Sequence, residues 1–418
     1  MPRSVPLAER LRQSSEQPPK WHLDVVHHCL KLTWGHIPGW RPASGRGSGT
    51  GSMGGPTDEA DISGSLKRIL EVIRRHLGME VAYISEFIGS RAVFRAVDAP
   101  GLEAMIKVGD SVSLDDVYCR HILAGRLPEF IPDTSSEPVA MALPITRNLP
   151  IGKHLSVPLK LRNGNVYGMF CCLGPQPDHT LHARDLQTMK AFAELAALDI
   201  EQALTVQRTF DAKRDRVRKA IDEHEISIVY QPIWHVATGR PIGLECLSRF
   251  SALPLRPPNE WIAEAAETGL GVELEMAAIK LAMSSLPSFP PEAYLAVNAS
   301  PATILSPELS ETLATLPVER IVVELTEHEM VESYNEIIAT LQPFRTRGLR
   351  LAVDDAGTGY SSLQHILYLR PDLIKLDMNL TRSIDLDPSR RALASALVKF
   401  ARETNARIIA KAWRQTPS

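Results

Sequence analysis

The stretch Arg350-Leu351-Ala352-Val353-Asp354-Asp355-Ala356-Gly357-Thr358-Gly359-Tyr360 joins an apolar run to two adjacent carboxylates and two glycines. The run from Leu351 to Val353 predicts a buried strand, and the glycines predict a sharp loop after it. In a parallel α/β architecture, Asp354 and Asp355 then lie at the carboxyl end of a strand, where such folds place their chemistry. Adjacent carboxylates are costly to desolvate unless cations neutralise them, which indicates a divalent-metal site. The alternative is an Asp-rich turn in which Asp355 caps the following segment.

The composition indicates a soluble globular protein of two to three domains. The chain has 418 residues, of which 44% are hydrophobic, and a formal net charge of -3. This balance gives no basic field that would point to a nucleic-acid polymer as a partner. The five cysteines form no C-x-x-C pair, which favours reduced thiols in the cytoplasm over a disulfide framework. No apolar run is long enough for a membrane span.

The first 57 residues differ in composition from the rest of the chain. Pro, Gly and Ser are so frequent between Pro38 and Pro56 that we predict disorder for residues 1–57. Met53 is an alternative translation start to Met1, since folded-looking sequence begins shortly after it.

Residues 58–204 show helical and strand-like patterns that predict a small α+β module. The segments Leu114-Asp115-Asp116-Val117-Tyr118-Cys119-Arg120 and Leu127-Pro128-Glu129-Phe130-Ile131-Pro132-Asp133-Thr134 resemble a GAF sensory domain. That resemblance implies an unknown small ligand bound between sheet and helices. Cys119 would then line the pocket, although a buried structural thiol is the interpretation we favour.

Residues 205–222 carry alternating charges on a helical pattern and form the predicted connector to the second folded region. The first interpretation is a solvated helix face, which we favour. The second is a helix that pairs with its copy in a homodimer.

From residue 223 to residue 418, strand and helix patterns alternate, which is typical of a parallel α/β fold. The predicted strands are residues 226–233, 242–249, 294–298, 321–325, 351–354, 373–376 and 406–410. This number of βα repeats favours a TIM barrel over an open doubly wound sheet. The strands end in polar side chains, namely Glu245, Arg249, Asn298, Glu324, Asp354 and Lys375. Together they predict an oxygen-ligand site for Mg²⁺ or Mn²⁺, with cations to hold phosphate.

The order of short motifs in this region resembles that of EAL domains, from about Ile221 to Ala410. The motifs are Tyr230-Gln231-Pro232, Glu245-Cys246-Leu247-Ser248-Arg249, Asn298-Ala299-Ser300, Glu324-Leu325-Thr326-Glu327, Asp354-Asp355-Ala356-Gly357-Thr358-Gly359 and Lys375-Leu376-Asp377. That family hydrolyses cyclic di-GMP to the linear dinucleotide on a TIM-barrel scaffold.

The resemblance implies a role for each matching side chain. One metal ion would be held by Glu245, Asn298, Glu324 and Asp354, and a second with the help of Asp355. Gln231 and Arg249 would contact the substrate, and Lys375 would orient the attacking water. Glu327 would brace the loop after Asp355, which links metal binding to dimer packing. The implied chemistry is two-metal phosphodiester hydrolysis, in which the cations acidify water and neutralise the developing charge.

The chain departs from the family pattern at three places. Cys246 replaces an alanine, and Ala356 stands where phenylalanine is commoner. Family members follow the last predicted strand with Ala-Glu-Gly-Val-Glu-Thr, whose first glutamate is the general base, whereas this chain has Lys411 after Ala410. Loss of a general base lowers the rate by about 10²–10⁴-fold. We also expect a barrel that lacks its last strand and helix and is open at one edge.

Three functional classes remain at this point. They are an active cyclic di-GMP phosphodiesterase, a module that binds cyclic di-GMP without cleaving it, and a truncated product that folds poorly. The tail from Lys411 to Ser418 is also consistent with a single-base deletion. One base added before the Lys411 codon restores Glu-Gly-Val-Glu-Thr-Asp-Ala-Glu in register with Ala410.

Overall fold

The computed structural model describes residues 23–26, 57–325, 333–356 and 360–411. These residues form two compact units, one within residues 50–211 and the other from residues 212–418 together with the segment before residue 50. The described element of that segment is strand β1, Leu23–Val26. Glu327 and the predicted loop Gly357-Thr358-Gly359 lie outside the described residues.

The unit within residues 50–211 is built on a six-stranded antiparallel sheet. Its strands are β2 (Val81–Ile88), β3 (Arg91–Asp98), β4 (Ser111–Ser113), β5 (Phe130–Ile131), β6 (Lys153–Lys160) and β7 (Val166–Gly174), in the order β4-β3-β2-β7-β6-β5. Its helices are α1 (Thr57–His76), α2 (Tyr118–Leu123), α3 (Pro138–Ala142), α4 (Pro144–Asn148) and the first part of α5 (Ala183–Asp222).

Both faces of this sheet are covered, because alternate residues of a strand point to opposite sides. On one face Cys172 packs with Leu70 of α1 and Met189 of α5. On the other face Cys171 packs with Cys119 and Ile122 of α2. This arrangement confirms the predicted α+β module.

Helix α5 contains the whole predicted connector, residues 205–222. Near its end, Val217 and Ala220 are fully buried against Trp261 and Ile226. One side of the expected solvated helix is therefore part of a core.

The second unit is a closed barrel of parallel strands with one antiparallel exception. Its strands after β1 are β8 (Ile226–His235), β9 (Arg240–Phe250), β10 (Tyr294–Ala299), β11 (Ile321–Leu325), β12 (Arg350–Ala356), β13 (Leu373–Leu376) and β14 (Arg407–Lys411). The helices are α6 (Pro258–Glu267), α7 (Gly271–Ser284), α8 (Pro301–Leu305), α9 (Pro307–Ala314), α10 (Tyr334–Arg345), α11 (Tyr360–Leu369), α12 (Met378–Thr381) and α13 (Pro388–Glu403). Strand β8 runs antiparallel to both of its neighbours. Each predicted strand is present, and the TIM-barrel fold class is confirmed.

The predicted open edge is not observed, because β1 fills the gap between β14 and β8. Val25 lies beside Ala410 of β14 in parallel register and beside Trp234 of β8 in antiparallel register. The prediction of disorder across residues 1–57 is therefore wrong for Leu23–Val26. The physical reason is that β8 and β14 would otherwise leave unpaired backbone N–H and C=O groups, which a short β-prone segment can satisfy.

The barrel strands separate two cores by the alternation of their side chains. One set of residues packs between the strands and the helices, and includes Val323, Val353 and Ile374. The other set fills the barrel interior as an apolar layer, formed by Ile233, Tyr294, Ala296, Val322, Ala352, Leu373 and Ile409. Interior positions therefore recur at every second residue along each strand.

Candidate active site

A polar layer lies directly above the apolar interior layer, at the carboxyl ends of the parallel strands. Counting two residues onward from Ala296, Val322, Ala352, Leu373 and Ile409 leads to Asn298, Glu324, Asp354, Lys375 and Lys411. Glu245 of β9 lies beside Gln231 of the antiparallel strand β8, at the same level. The layer therefore gathers polar side chains from successive strands, at the end of the barrel where such folds carry their sites.

Three buried carboxylates of this layer lie close enough to share one cation. Glu245, Glu324 and Asp354 each offer an oxygen within 4.8 Å of the others. Glu324 is fully buried, and the other two are less than a tenth exposed. Carboxylate oxygens in such a group are the ligands that hard divalent cations prefer.

Lys375 lies among these carboxylates and is itself fully buried. Its Nζ is 2.8 Å from Oε1 of Glu245, 2.7 Å from Oε2 of Glu324 and 3.2 Å from Oδ2 of Asp354. Burial alone would lower the pKa of Lys375, but the three carboxylates outweigh it and raise that pKa well above its ordinary value. Lys375 is therefore an ammonium that partly neutralises the cluster.

The neutralisation is incomplete at Glu324. Burial raises the pKa of Glu324 to about 8, against the opposing charge of Lys375 and with the help of Glu245 and Asp354. Its Oε1 is buried and has no hydrogen-bond partner among the described residues. A buried acceptor without a partner is costly, so this atom favours a further cation at the cluster. The donor set and the free oxygen therefore fit a divalent metal ion.

A bulge at the end of β12 turns two consecutive carboxylates, Asp354 and Asp355, toward the same side of the strand. In a regular strand Asp354 and Asp355 would point to opposite sides of the sheet. Here the pairing of β12 with β13 shifts register between Val353 and Ala356, and Asp355 adopts a left-handed backbone conformation with φ of 52°. The N–H of Asp355 donates to Oδ1 of Asp354 at 2.8 Å. Such bulges re-aim side chains next to active sites.

Lys411, the last residue of β14, contacts both members of this aspartate pair. Its Nζ lies 2.8 Å from Oδ1 of Asp354 and 2.6 Å from Oδ1 of Asp355. Burial alone would lower the pKa of Lys411, but the charge of Asp354 outweighs it, and the pKa is raised. Burial would likewise raise the pKa of Asp354, but Lys375 and Lys411 together lower it. For Asp355, burial and the charge of Asp354 prevail and raise the pKa.

The structure brings together most of the side chains that the sequence assigned to the site. Lys375 contacts Glu245, Glu324 and Asp354. Asp355 joins this group through Lys411, which contacts both aspartates. Asn298 lies at the register position beside Glu324, and Gln231 lies beside Glu245. Arg249 is exposed near the end of β9, where its Nη1 donates to the carbonyl oxygen of Ser248 at 2.8 Å.

From the sequence, Lys411 was predicted only as the replacement of a general base, and its contacts with the aspartate pair were not predicted. A signal for them was present, because Ile409 is an apolar strand residue and the interior positions recur every second residue. That period places Lys411 inside the barrel, at the level of Asp354.

In the other unit, the burial of Cys119 agrees with the favoured interpretation of a structural thiol. The side chain is 2% exposed and belongs to the core beside Cys171, whose Sγ lies 3.1 Å from Oγ of Ser156. The hydrogen bond with Cys171, followed by burial, raises the pKa of the Cys119 thiol well above its ordinary value.

Family models match both units of the chain. The EAL domain model matches residues 214–412, and the GAF domain model matches residues 61–200. An uncharacterized protein of Mycobacterium tuberculosis is 31% identical over 206 residues, which are 43% of this chain and 66% of that protein. The probable cyclic di-GMP phosphodiesterase PdeI of Escherichia coli is 31% identical over 183 residues, which are 40% of this chain and 23% of PdeI.

The matched region is a small part of several relatives. It spans 31%, 22% and 26% of the length of proteins from Synechocystis, Sinorhizobium fredii and Caulobacter vibrioides. Among solved structures, Klebsiella pneumoniae BlrP1 in complex with calcium and cyclic di-GMP is 24% identical, with a TM-score of 0.41 over 46% of this chain and 50% of that one. By its family matches, this chain contains a GAF domain followed by an EAL domain.

Proposed function

We propose that this protein acts in cyclic di-GMP signalling, through an EAL domain that binds a divalent metal ion and cyclic di-GMP but cleaves the nucleotide poorly. The observation that carries the proposal is the buried group of Glu245, Glu324 and Asp354 at the carboxyl end of the barrel. The similarity to the probable cyclic di-GMP phosphodiesterase PdeI supports the choice of nucleotide.

The proposed metal is Mg²⁺ or Mn²⁺, held by Glu245, Asn298, Glu324 and Asp354. The support comes from their oxygen donors and from the buried Oε1 of Glu324 that lacks a partner among the described residues. A bound divalent ion would acidify a water molecule and neutralise charge on the phosphate. Lys375 remains next to these ligands as a fixed positive charge.

The proposed contacts to the nucleotide are Gln231 and Arg249. Gln231 lies beside the ligand Glu245. Arg249 lies on the same face of β9 as Glu245, further toward the carboxyl end of the strand. A guanidinium at the rim of a carboxylate-lined site suits a phosphate, because its planar fork offers two parallel donors.

Impaired cleavage is proposed because the residue at the base position carries a proton and has no capacity to accept another. The pKa of Lys411 is raised, so its side chain is an ammonium at neutral pH. A general base has to be deprotonated and within reach of the water that it activates. The remaining residues would therefore bind the nucleotide more readily than they cleave it.

A module that binds cyclic di-GMP without any turnover is the second candidate, and the ammonium of Lys411 at the base position favours it. A product that folds poorly is less consistent with the closed barrel. Hydrolysis and nucleotide binding measured on one preparation separate these classes. Calorimetry of the Asp354→Ala and Glu245→Ala variants tests the metal site, and unchanged metal affinity in both would contradict it.

Three further proposals concern the setting of this activity. The GAF domain would bind an unknown small ligand that regulates the EAL domain, and the protein would work as a homodimer. We propose the cytoplasm as its location, because the described cysteines are free thiols, as expected in a reducing compartment. No helix among the described residues combines the length and the apolarity needed to cross a membrane.

A further inference from the structure

We propose that the ammonium of Lys411 is a built-in cation that takes the place of a second divalent ion between Asp354 and Asp355, so that this barrel binds a single metal ion. The inference rests on the proposed metal site but makes a separate statement about its stoichiometry. Under this proposal Lys411 has a structural function of its own, in addition to being the replacement of the general base.

The contacts of Lys411 are those of a bridging cation. Its Nζ reaches one oxygen of each aspartate, at 2.8 Å from Asp354 and 2.6 Å from Asp355. The backbone bulge and the left-handed conformation of Asp355 turn both carboxylates toward this single point. Contact of one ammonium with both aspartates requires that two consecutive carboxylates lie on the same side of the strand, which the bulge provides.

The backbone of Lys411 is held by its neighbours on both sides. Lys411 is paired in register with Val26 of β1, and the preceding residue Ala410 is paired with Leu376 of β13. The hydroxyl of Thr381 also donates to the carbonyl oxygen of Lys411. Because the strand end is paired on both sides, the side chain of Lys411 starts from a fixed point next to the aspartates.

Asp354 divides its two oxygens between two ammonium groups. Oδ2 faces Lys375 at 3.2 Å, while Oδ1 faces Lys411 at 2.8 Å. A metal ion that displaces one ammonium from this carboxylate still leaves the other in place. The site nearer Lys375 retains Glu245 and Glu324 as further ligands, whereas at the site nearer Lys411 the carboxylates in contact with the ammonium are those of the aspartate pair. The position between Asp354 and Asp355 is therefore the one from which Lys411 excludes a divalent ion.

Mn²⁺ binding by the full chain without nucleotide tests this inference. Free Mn²⁺ is counted by electron paramagnetic resonance during titration of the wild type, of Lys411→Met, and of the control Lys399→Met, which removes an exposed lysine on α13. We expect one ion in the wild type and in Lys399→Met. In Lys411→Met we expect a second ion whose affinity is at least about tenfold higher than any second binding step of the wild type.

A double variant assigns the second ion to the aspartate pair. Adding Asp355→Asn to Lys411→Met should abolish the second step and leave the first unchanged, and thermal unfolding of each variant verifies that it is folded. Two ions in the wild type, or one ion in Lys411→Met, would overturn this inference while the proposed metal site stands. No bound ion in any of these proteins would overturn the proposed metal site and the inference together.

Discussion

The ammonium of Lys375 lies 2.7 Å from Oε2 of Glu324, and neither side chain is exposed to solvent. A buried contact of this kind gains little net stability over apolar residues, because both polar groups lose their hydration. The pair is more readily understood as part of a site in which Lys375 keeps carboxylates together that would otherwise repel one another. The same cluster then has both the charge and the oxygen atoms to receive a metal ion.

Removal of Lys375 should therefore destabilise the metal-free protein. We predict that Lys375→Met lowers the free energy of unfolding by roughly 3–5 kcal/mol, because the buried carboxylates lose their counter-charge. Urea denaturation in the presence of EDTA measures this change. Lys399→Met, at an exposed position of α13, should stay within about 0.5 kcal/mol of the wild type.

Added Mn²⁺ should return part of the stability that Lys375→Met has lost, because the metal ion supplies the missing positive charge. Equal unfolding curves for Lys375→Met and the wild type in EDTA would contradict the neutralising role of this lysine.

The strand β1 offers a test of barrel closure. We predict that Val25→Pro destabilises the barrel by about 1 kcal/mol or more, because proline removes a backbone donor from a strand that has neighbours on both sides. Val25→Thr keeps the donor and a β-branched side chain, and should unfold at nearly the wild-type urea concentration. If the two variants unfold together, β1 does not contribute to the stability of the barrel.

Glu264 of α6 should make stability depend on pH. Burial alone would raise the pKa of this carboxyl, but hydrogen bonds and charges of Arg216 and Arg256 outweigh it and hold the pKa below the ordinary value of 4.5. A carboxyl with a lowered pKa in the folded state stabilises the protein above its unfolded-state pKa. That contribution is lost as the pH falls through the lower, folded-state pKa.

We predict that Glu264→Gln costs roughly 1.5–3 kcal/mol at pH 7, the usual range for hydrogen bonds to charged groups. The difference from the wild type should shrink as the pH falls below about 4.5. Glu267→Gln, on the same helix, removes a more exposed ion pair with Lys213 and should cost no more than about 1 kcal/mol. A cost for Glu264→Gln that is the same at all pH values would contradict this assignment.

Much of the barrel could be predicted because each strand carries its own apolar run. In β11 the buried Val322 is followed two positions later by the polar Glu324, and in β13 Leu373 is followed in the same way by Lys375. The role of Lys375 was less accessible, because its closeness to Glu245, Glu324 and Asp354 depends on four strands meeting in space. Sequence order alone does not give such distances.

Strand β1 could not be predicted, because Leu23–Val26 is a run of only 4 residues. The partners of Val25, Ala410 and Trp234, are far away in the sequence, so no local pattern predicts the pairing. Strand formation in such a segment depends on its neighbours rather than on intrinsic preference. Similarly, the shared orientation of Asp354 and Asp355 follows from a bulge that no residue type at this position requires.

Substitution of Lys411 separates loss of the ammonium from recovery of a base. We predict that Lys411→Glu raises cyclic di-GMP hydrolysis by about 10²–10⁴-fold, because it places a carboxylate at the base position. Lys411→Gln removes the positive charge without supplying a base and should hydrolyse the nucleotide far more slowly than Lys411→Glu. Equal rates for the two variants would show that the base is not what limits cleavage.

Recovery of the nucleotide after binding tests the central claim most directly. The wild type is titrated with cyclic di-GMP in Mn²⁺ by calorimetry, and the nucleotide in the same sample is then separated by chromatography. We predict saturable binding that EDTA abolishes, with cyclic di-GMP recovered largely intact over a period in which Lys411→Glu converts it to the linear dinucleotide. Absence of binding by the folded protein, or conversion by the wild type as fast as by Lys411→Glu, would contradict the account.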